Sequence, residues 1–71
     1  MKLLVVVERT KTGYSAYSPD LPGCVATGSS PAEVEAEMEQ AVGFHLEGLA
    51  GLGAKPPSPS TYATFVEIGA S

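Results

Sequence analysis

Residues 30–33 read Ser-Pro-Ala-Glu, and no other stretch of this chain limits its fold as strongly. A serine hydroxyl at position 30 can accept from a backbone N–H of the first helical turn. Pro31 then suits the first helical position, where a missing N–H costs nothing. Glu33 completes an S-x-x-E capping box. Beyond this start, Val34, Met38, Ala41, Val42, His45, Leu46 and Leu49 recur at the helical period and form one apolar stripe. Gly51 or Gly53 can stop the helix, and the following "KPPSPS" cannot continue it.

What precedes the helix reads as strands. "KLLVVVERTK" has a continuous apolar run from Leu3 to Val7, which implies burial on both faces and a central place in a sheet. "TKTG" supplies a turn in which Gly13 is free to take positive φ, and "YSAYS" follows as the second strand of a hairpin. "CVATG" makes a short third strand. Between them, "PDLPG" reads as a rigid connector: Pro19 holds Ser18 extended, Pro22 presets a turn, and Gly23 accepts the positive φ of a type II turn. After the helix, "TYATFVEI" alternates. Tyr62, Thr64, Val66 and Ile68 share one face, and Ala63, Phe65 and Glu67 the other. The order is β-β-β-α-β, an α+β chain. A right-handed crossover brings strand four parallel to strand one, for a four-stranded sheet of order 3-2-1-4 with the helix on one face.

Seventy-one residues make one domain, residues 1–71, with a core that supplies only about 3–5 kcal/mol of net stability. Cys24 is the only cysteine and His45 the only histidine, so an internal disulfide is excluded and a structural metal is not expected. Self-association, as a dimer or larger, is the remaining source of stability. The second face of the sheet, which nothing in the chain covers, argues for it independently. The apolar run at the N-terminus is too short for a signal core or a membrane span, and a lone free cysteine fits a reducing cytoplasm.

The net charge is -4, and it is unevenly spread. Lys2, Arg9 and Lys11 come early and Lys55 follows the helix, while no lysine or arginine falls from Thr12 to Ala54. Glu33, Glu35, Glu37, Glu39 and Glu47 crowd the helix instead. Such a surface does not suit phosphate backbones, so direct nucleic-acid binding is not expected, and a basic protein is the natural complement. The same acids also read as a simply solvated face. Glu33–Glu37 and Glu35–Glu39 are like-charge pairs at i, i+4, each costing roughly 0.2–0.5 kcal/mol. Phe44 borders Glu33 and Glu37 and suits an interface anchor.

The stretch "YSAYSPDLPGCVATGSSPAEVEAEMEQAVGFHLEGL" resembles the core signature of the HicB family of antitoxins: an aromatic strand, P-D-L-P-G-C, a short strand, and a helix ending near H-L-E. The resemblance implies a partial ribonuclease-H-like fold with the strand order derived above. It also implies a function, the binding and neutralising of a small, basic, double-stranded-RNA-binding-like toxin of the HicA type that cleaves messenger RNA. The alternative is a structural or regulatory homo-oligomer of the same fold without a toxin. Many members carry a C-terminal DNA-binding segment. No helical pattern or basic cluster follows strand four here, so this chain alone is not expected to bind operator DNA.

The candidate partner-binding residues are Asp20, Leu21, Pro22, Glu33, Glu37 and Phe44, with Pro22 and Gly23 as the structural turn. No catalytic, metal-binding or cofactor-binding residue is assigned, and no enzyme activity is expected. Glu8 and Glu67 would be neighbours across parallel strands one and four, but read as solvated strand-end acids. Cys24 reads as a small buried hydrophobe rather than as a nucleophile paired with His45. His45 reads as a structural histidine within the stripe, with partner contact or pH sensitivity as the alternative.

Overall fold

The computed structural model describes residues 1–69. Three short strands, β1 (Val6–Arg9), β2 (Tyr14–Tyr17) and β3 (Val25–Gly28), precede one helix, α1 (Pro31–Gly51). The strands form an antiparallel sheet of order β1-β2-β3. Val7 pairs with Ala16, and Ala16 with Ala26, so these three share one face. That face is the inner one: Ala16 is buried, Ala26 packs against the core, and alternation carries Leu3 and Val5 to the same side. Val6, Tyr17 and Val25 form the facing row on the opposite side. Tyr17 and Val25 in that row are exposed.

The helix begins as its sequence dictates. The Ser30 hydroxyl accepts from the Glu33 N–H at 3.1 Å, and Pro31 stands at the first helical position. The Glu33 carboxylate reaches one residue beyond the cap, accepting from the Ser29 N–H at 2.9 Å and the Ser29 hydroxyl at 3.1 Å. At the other end, Gly53 N–H donates to Ala50 and Ala54 N–H to Leu49. With Gly53 at φ 71°, this is a Schellman closure. Val34 and Met38 are the fully buried side chains of the helix, and with Ala16, Leu21 and Cys24 they make the core. The helix sits close to the sheet because β3 ends in a glycine: a Cβ on Gly28 would lie 2.7 Å from the Val34 nitrogen.

Three expectations are corrected. Gly13 does not take a positive φ; it is needed because a Cβ there would collide with the Gly28 carbonyl. The first strand is shorter than its apolar run and stands at an edge. Beyond Val6↔Tyr17 the second strand turns away at Ser18, so residues 2–5 have no ladder partner. Finally, residues 54–69 form no helix or strand, so strand four is not in this sheet. The neighbouring placement of Glu8 and Glu67 goes with it. The physical reason lies in how the tail is held, described next.

Candidate partner-binding surface

The connector between β2 and β3 is built from two consecutive turns. Leu21 N–H donates to the Ser18 carbonyl and Cys24 N–H to the Leu21 carbonyl, each at 3.2 Å. Gly23, at φ 83°, fills the third position of the second turn, with Pro22 before it, as a type II turn requires. These turns drive Leu21 and Cys24 inward and leave Pro22 and Gly23 outside. Leu21 is only 3 % exposed and belongs to the core, so it cannot offer its side chain to a partner from this conformation. Cys24 is equally buried, and that burial raises its thiol pKa, which suppresses the nucleophilic thiolate.

Asp20 has a partner within the chain. Its carboxylate accepts from the Thr61 hydroxyl at 2.8 Å and the Thr61 N–H at 3.0 Å. It also accepts from the Ser60 hydroxyl at 3.0 Å and the Ser60 N–H at 3.1 Å. Those bonds, led by the Thr61 hydroxyl, hold its carboxyl below the usual carboxylate range. The clasp fixes the tail to the connector just before its alternating segment begins. From there the tail runs free: Tyr62, Phe65, Val66 and Ile68 are all exposed. Ser60 and Thr61 escaped the sequence reading. A proline-flanked run of hydroxyl residues is their only local signal, and the acid they bind lies 40 residues away.

The helix presents two different flanks. At about 100° per residue, Glu33, Glu37 and Phe44 project within one narrow sector, with Glu47 beside it. All four are exposed, and Phe44 is 80 % exposed. This flank brings Glu33, Glu37 and Phe44 onto one sector of the helix; Asp20 and Pro22 belong to the connector between β2 and β3. The opposite flank forms an open groove with the first strand, lined by Leu3, Val5, Ala36, Met38, Val42 and Leu46, with Glu35 and Glu39 also along it. His45 is half-buried on the stripe between the flanks. Among the described residues, no three His, Cys, Asp or Glu side chains converge as metal ligands would, and no helix is long and apolar enough to cross a membrane.

These features coincide with known proteins. A phage protein described as an uncharacterized 14.9 kDa protein in the rep-hol intergenic region of Haemophilus phage HP1 (strain HP1c1) is 33% identical over 45 residues, covering 63% of this chain. The match spans 34% of that phage protein, about a third of its length. A chain of the solved HicA3 and HicB3 toxin-antitoxin complex superposes with a TM-score of 0.67 at 29% identity, covering 83% of this chain and 72% of that one. Residues 3–68 match the family described as the HicB_like antitoxin of bacterial toxin-antitoxin systems. With nearly the whole fold inside that match, the chain belongs to the HicB-like antitoxin family.

Proposed function

We propose that this protein is a non-enzymatic antitoxin that binds and neutralises a small, basic, mRNA-cleaving toxin of the HicA type in the cytoplasm. The observation that carries the reading is the family match over residues 3–68, on a fold shared with a chain of a toxin–antitoxin complex. The surface is consistent with it. A helix flank of glutamates without a compensating base, centred on an exposed phenylalanine, complements a basic protein by charge and offers an apolar anchor. Neutralisation is then steric and electrostatic: the acidic flank covers the basic surface with which the toxin meets RNA. Asp20 and Pro22 extend the contact from the connector.

The protein acts in this reading as a dimer or larger assembly, with a fourth strand completing a partial ribonuclease-H-like sheet. The exposed tail residues Tyr62, Phe65, Val66 and Ile68 support self-association and also favour the second reading, a homo-oligomer without a toxin. The test is co-expression with a short basic reading frame beside its gene. Growth arrest by the neighbour's product should be relieved by this chain, and the two should co-purify. Arrest that persists with both proteins soluble and unassociated overturns the antitoxin reading and leaves the second.

A further inference from the structure

Two unfinished surfaces occur in the same chain. One is the free edge of β1 together with the extension before it, residues 2–5, which has no ladder partner and whose Leu3 and Val5 line an open apolar groove with α1. The other is the segment 62–68, which alternates like a half-buried strand but packs on nothing: Phe65 is 99% exposed, Tyr62 82%, and Val66 and Ile68 76% each. Within the chain the two are kept apart. The Asp20 clasp holds the tail at Ser60 and Thr61, and no tail residue lines the groove.

From this juxtaposition we infer that residues 62–68 of one copy add as a fourth strand to the free edge of the first strand in a second copy, and that the exchange is reciprocal. This deepens the self-association part of the reading above and needs no toxin. An unpaired strand edge is a template for an added strand, because its backbone N–H and C=O groups lie open in a row. Which face goes where follows from Glu67. Its row with Ala63 and Phe65 belongs on the open side of the sheet, since a carboxylate placed in the groove would lose water beside Glu35 and Glu39. Tyr62, Thr64, Val66 and Ile68 then fill the groove against Leu3, Val5 and Met38. Phe65 continues the exposed row of Val6, Tyr17 and Val25. By alternation Lys2 lies on that open face and Arg9 does not, so antiparallel addition brings the tail's single charge to a base.

The size is sufficient. Each buried aromatic removes about 150–250 Å² from water. Tyr62 with Val66 and Ile68, counted from both copies together with the groove residues they cover, remove on the order of 1,000 Å², the lower bound of a specific interface. Reciprocal exchange closes the assembly as a two-fold dimer and leaves no dangling strand. The occupant of the groove is therefore the tail of a second copy.

The test uses the full chain in a Cys24→Ala background. One version carries Phe65→Cys; a second, isotope-labelled version carries Leu4→Cys, with Lys2→Cys and Val6→Cys covering the neighbouring registers on the same face. Purified separately, unfolded and refolded together, then oxidised, they should give a mass-identified link between the two copies at one of these positions. The double substitution Val66→Lys with Ile68→Lys should abolish that link and shift sedimentation from dimer to monomer while far-UV circular dichroism keeps the helix. A link that does not form between the two versions but does form within a third version carrying both Phe65→Cys and Leu4→Cys places the strand on its own sheet and overturns the exchange. A dimer that persists unchanged with both lysines overturns the exchange and retains self-association. A monomer in the unsubstituted protein overturns both.

Discussion

Gly23 and Gly28 are both needed, for opposite reasons, and substitution separates them. Around Gly23 there is open space within 4 Å of an added Cβ, so only its φ of +83° resists a side chain. Gly23→Val should cost about 1–2 kcal/mol, and Gly23→Asn less, because asparagine tolerates the left-handed region. Gly28 has an ordinary φ but no room, with the Val34 nitrogen 2.7 Å from the added carbon. Gly28→Ala should cost about 1–3 kcal/mol as the helix is pushed off the sheet. Urea denaturation reads both, and equal losses for Gly23→Val and Gly23→Asn would mean the φ argument is wrong. Ser18 gives the reverse case. Its hydroxyl is buried with no hydrogen-bond partner, so Ser18→Ala should be neutral or stabilising by up to about 1 kcal/mol. At Asp20 the sign follows from the lowered carboxyl pKa. The clasp contributes fully above the ordinary carboxylate value near 3.9 and is lost as pH falls through the lower folded value. The Ser60 and Thr61 amide resonances should therefore titrate below about pH 3.9. They should not titrate in Asp20→Asn, and a midpoint at the ordinary value would mean that the clasp is open in solution.

In the proposed function the helix is the element that meets the partner, and the bonds at its start constrain how to test it. Glu33 ties down Ser29, so reversing its charge also loosens the helix start. Glu37 and Glu47 make no such bond, which makes Glu37→Lys with Glu47→Lys the cleaner probe of the same flank. With a basic toxin, that double reversal should slow association by about tenfold or more at low salt and change dissociation little. Phe44→Ala should instead speed dissociation roughly 30-fold, for a lost anchor of about 2 kcal/mol. Stopped-flow at two salt concentrations separates the two; association indifferent to both salt and charge reversal removes this flank from the interface. The same element shows what a sequence can disclose. Ser30, Pro31, the stripe from Val34 to Leu49 and the Gly53 stop act within a few residues of one another, and the helix was legible to its ends. The Pro22–Gly23 turn was legible for the same reason. Leu21 was misread as surface because the turn's direction decides which side chain enters the core, and periodicity does not carry that direction. Ser60 and Thr61 were missed, and the strand expected over the tail is not formed in the single chain, because both depend on where a remote segment lies. A period of two identifies a strand and says nothing about which edge, in which copy, receives it.

The whole molecule is more extended than its length requires. Its radius of gyration is 14.4 Å, with principal extents of 53 × 28 × 16 Å, whereas a compact domain of this size has a radius near 11 Å. The excess has a structural source: the apolar tail residues lie outside the core, and the last turns of the helix are at most half-buried. Ala16, Leu21, Cys24, Val34 and Met38 are a small core for 71 residues, in the range where one copy alone is marginal. Any partner that binds only the folded chain adds stability that grows with its concentration, and for self-association that partner is the protein itself. The melting temperature should therefore rise with protein concentration, by about 5–10 °C per hundredfold for a chain this short, since about 2.7 kcal/mol per hundredfold is shared between the two chains of a dimer and about 4–8 °C accompanies each kcal/mol. Calorimetry of the isolated protein from micromolar to millimolar concentration measures this directly. A melting temperature that does not move over that range would show that the five-residue core suffices and that the tail contributes nothing to stability. Val66→Lys with Ile68→Lys should flatten the dependence, placing its origin in the segment that the single chain leaves uncovered.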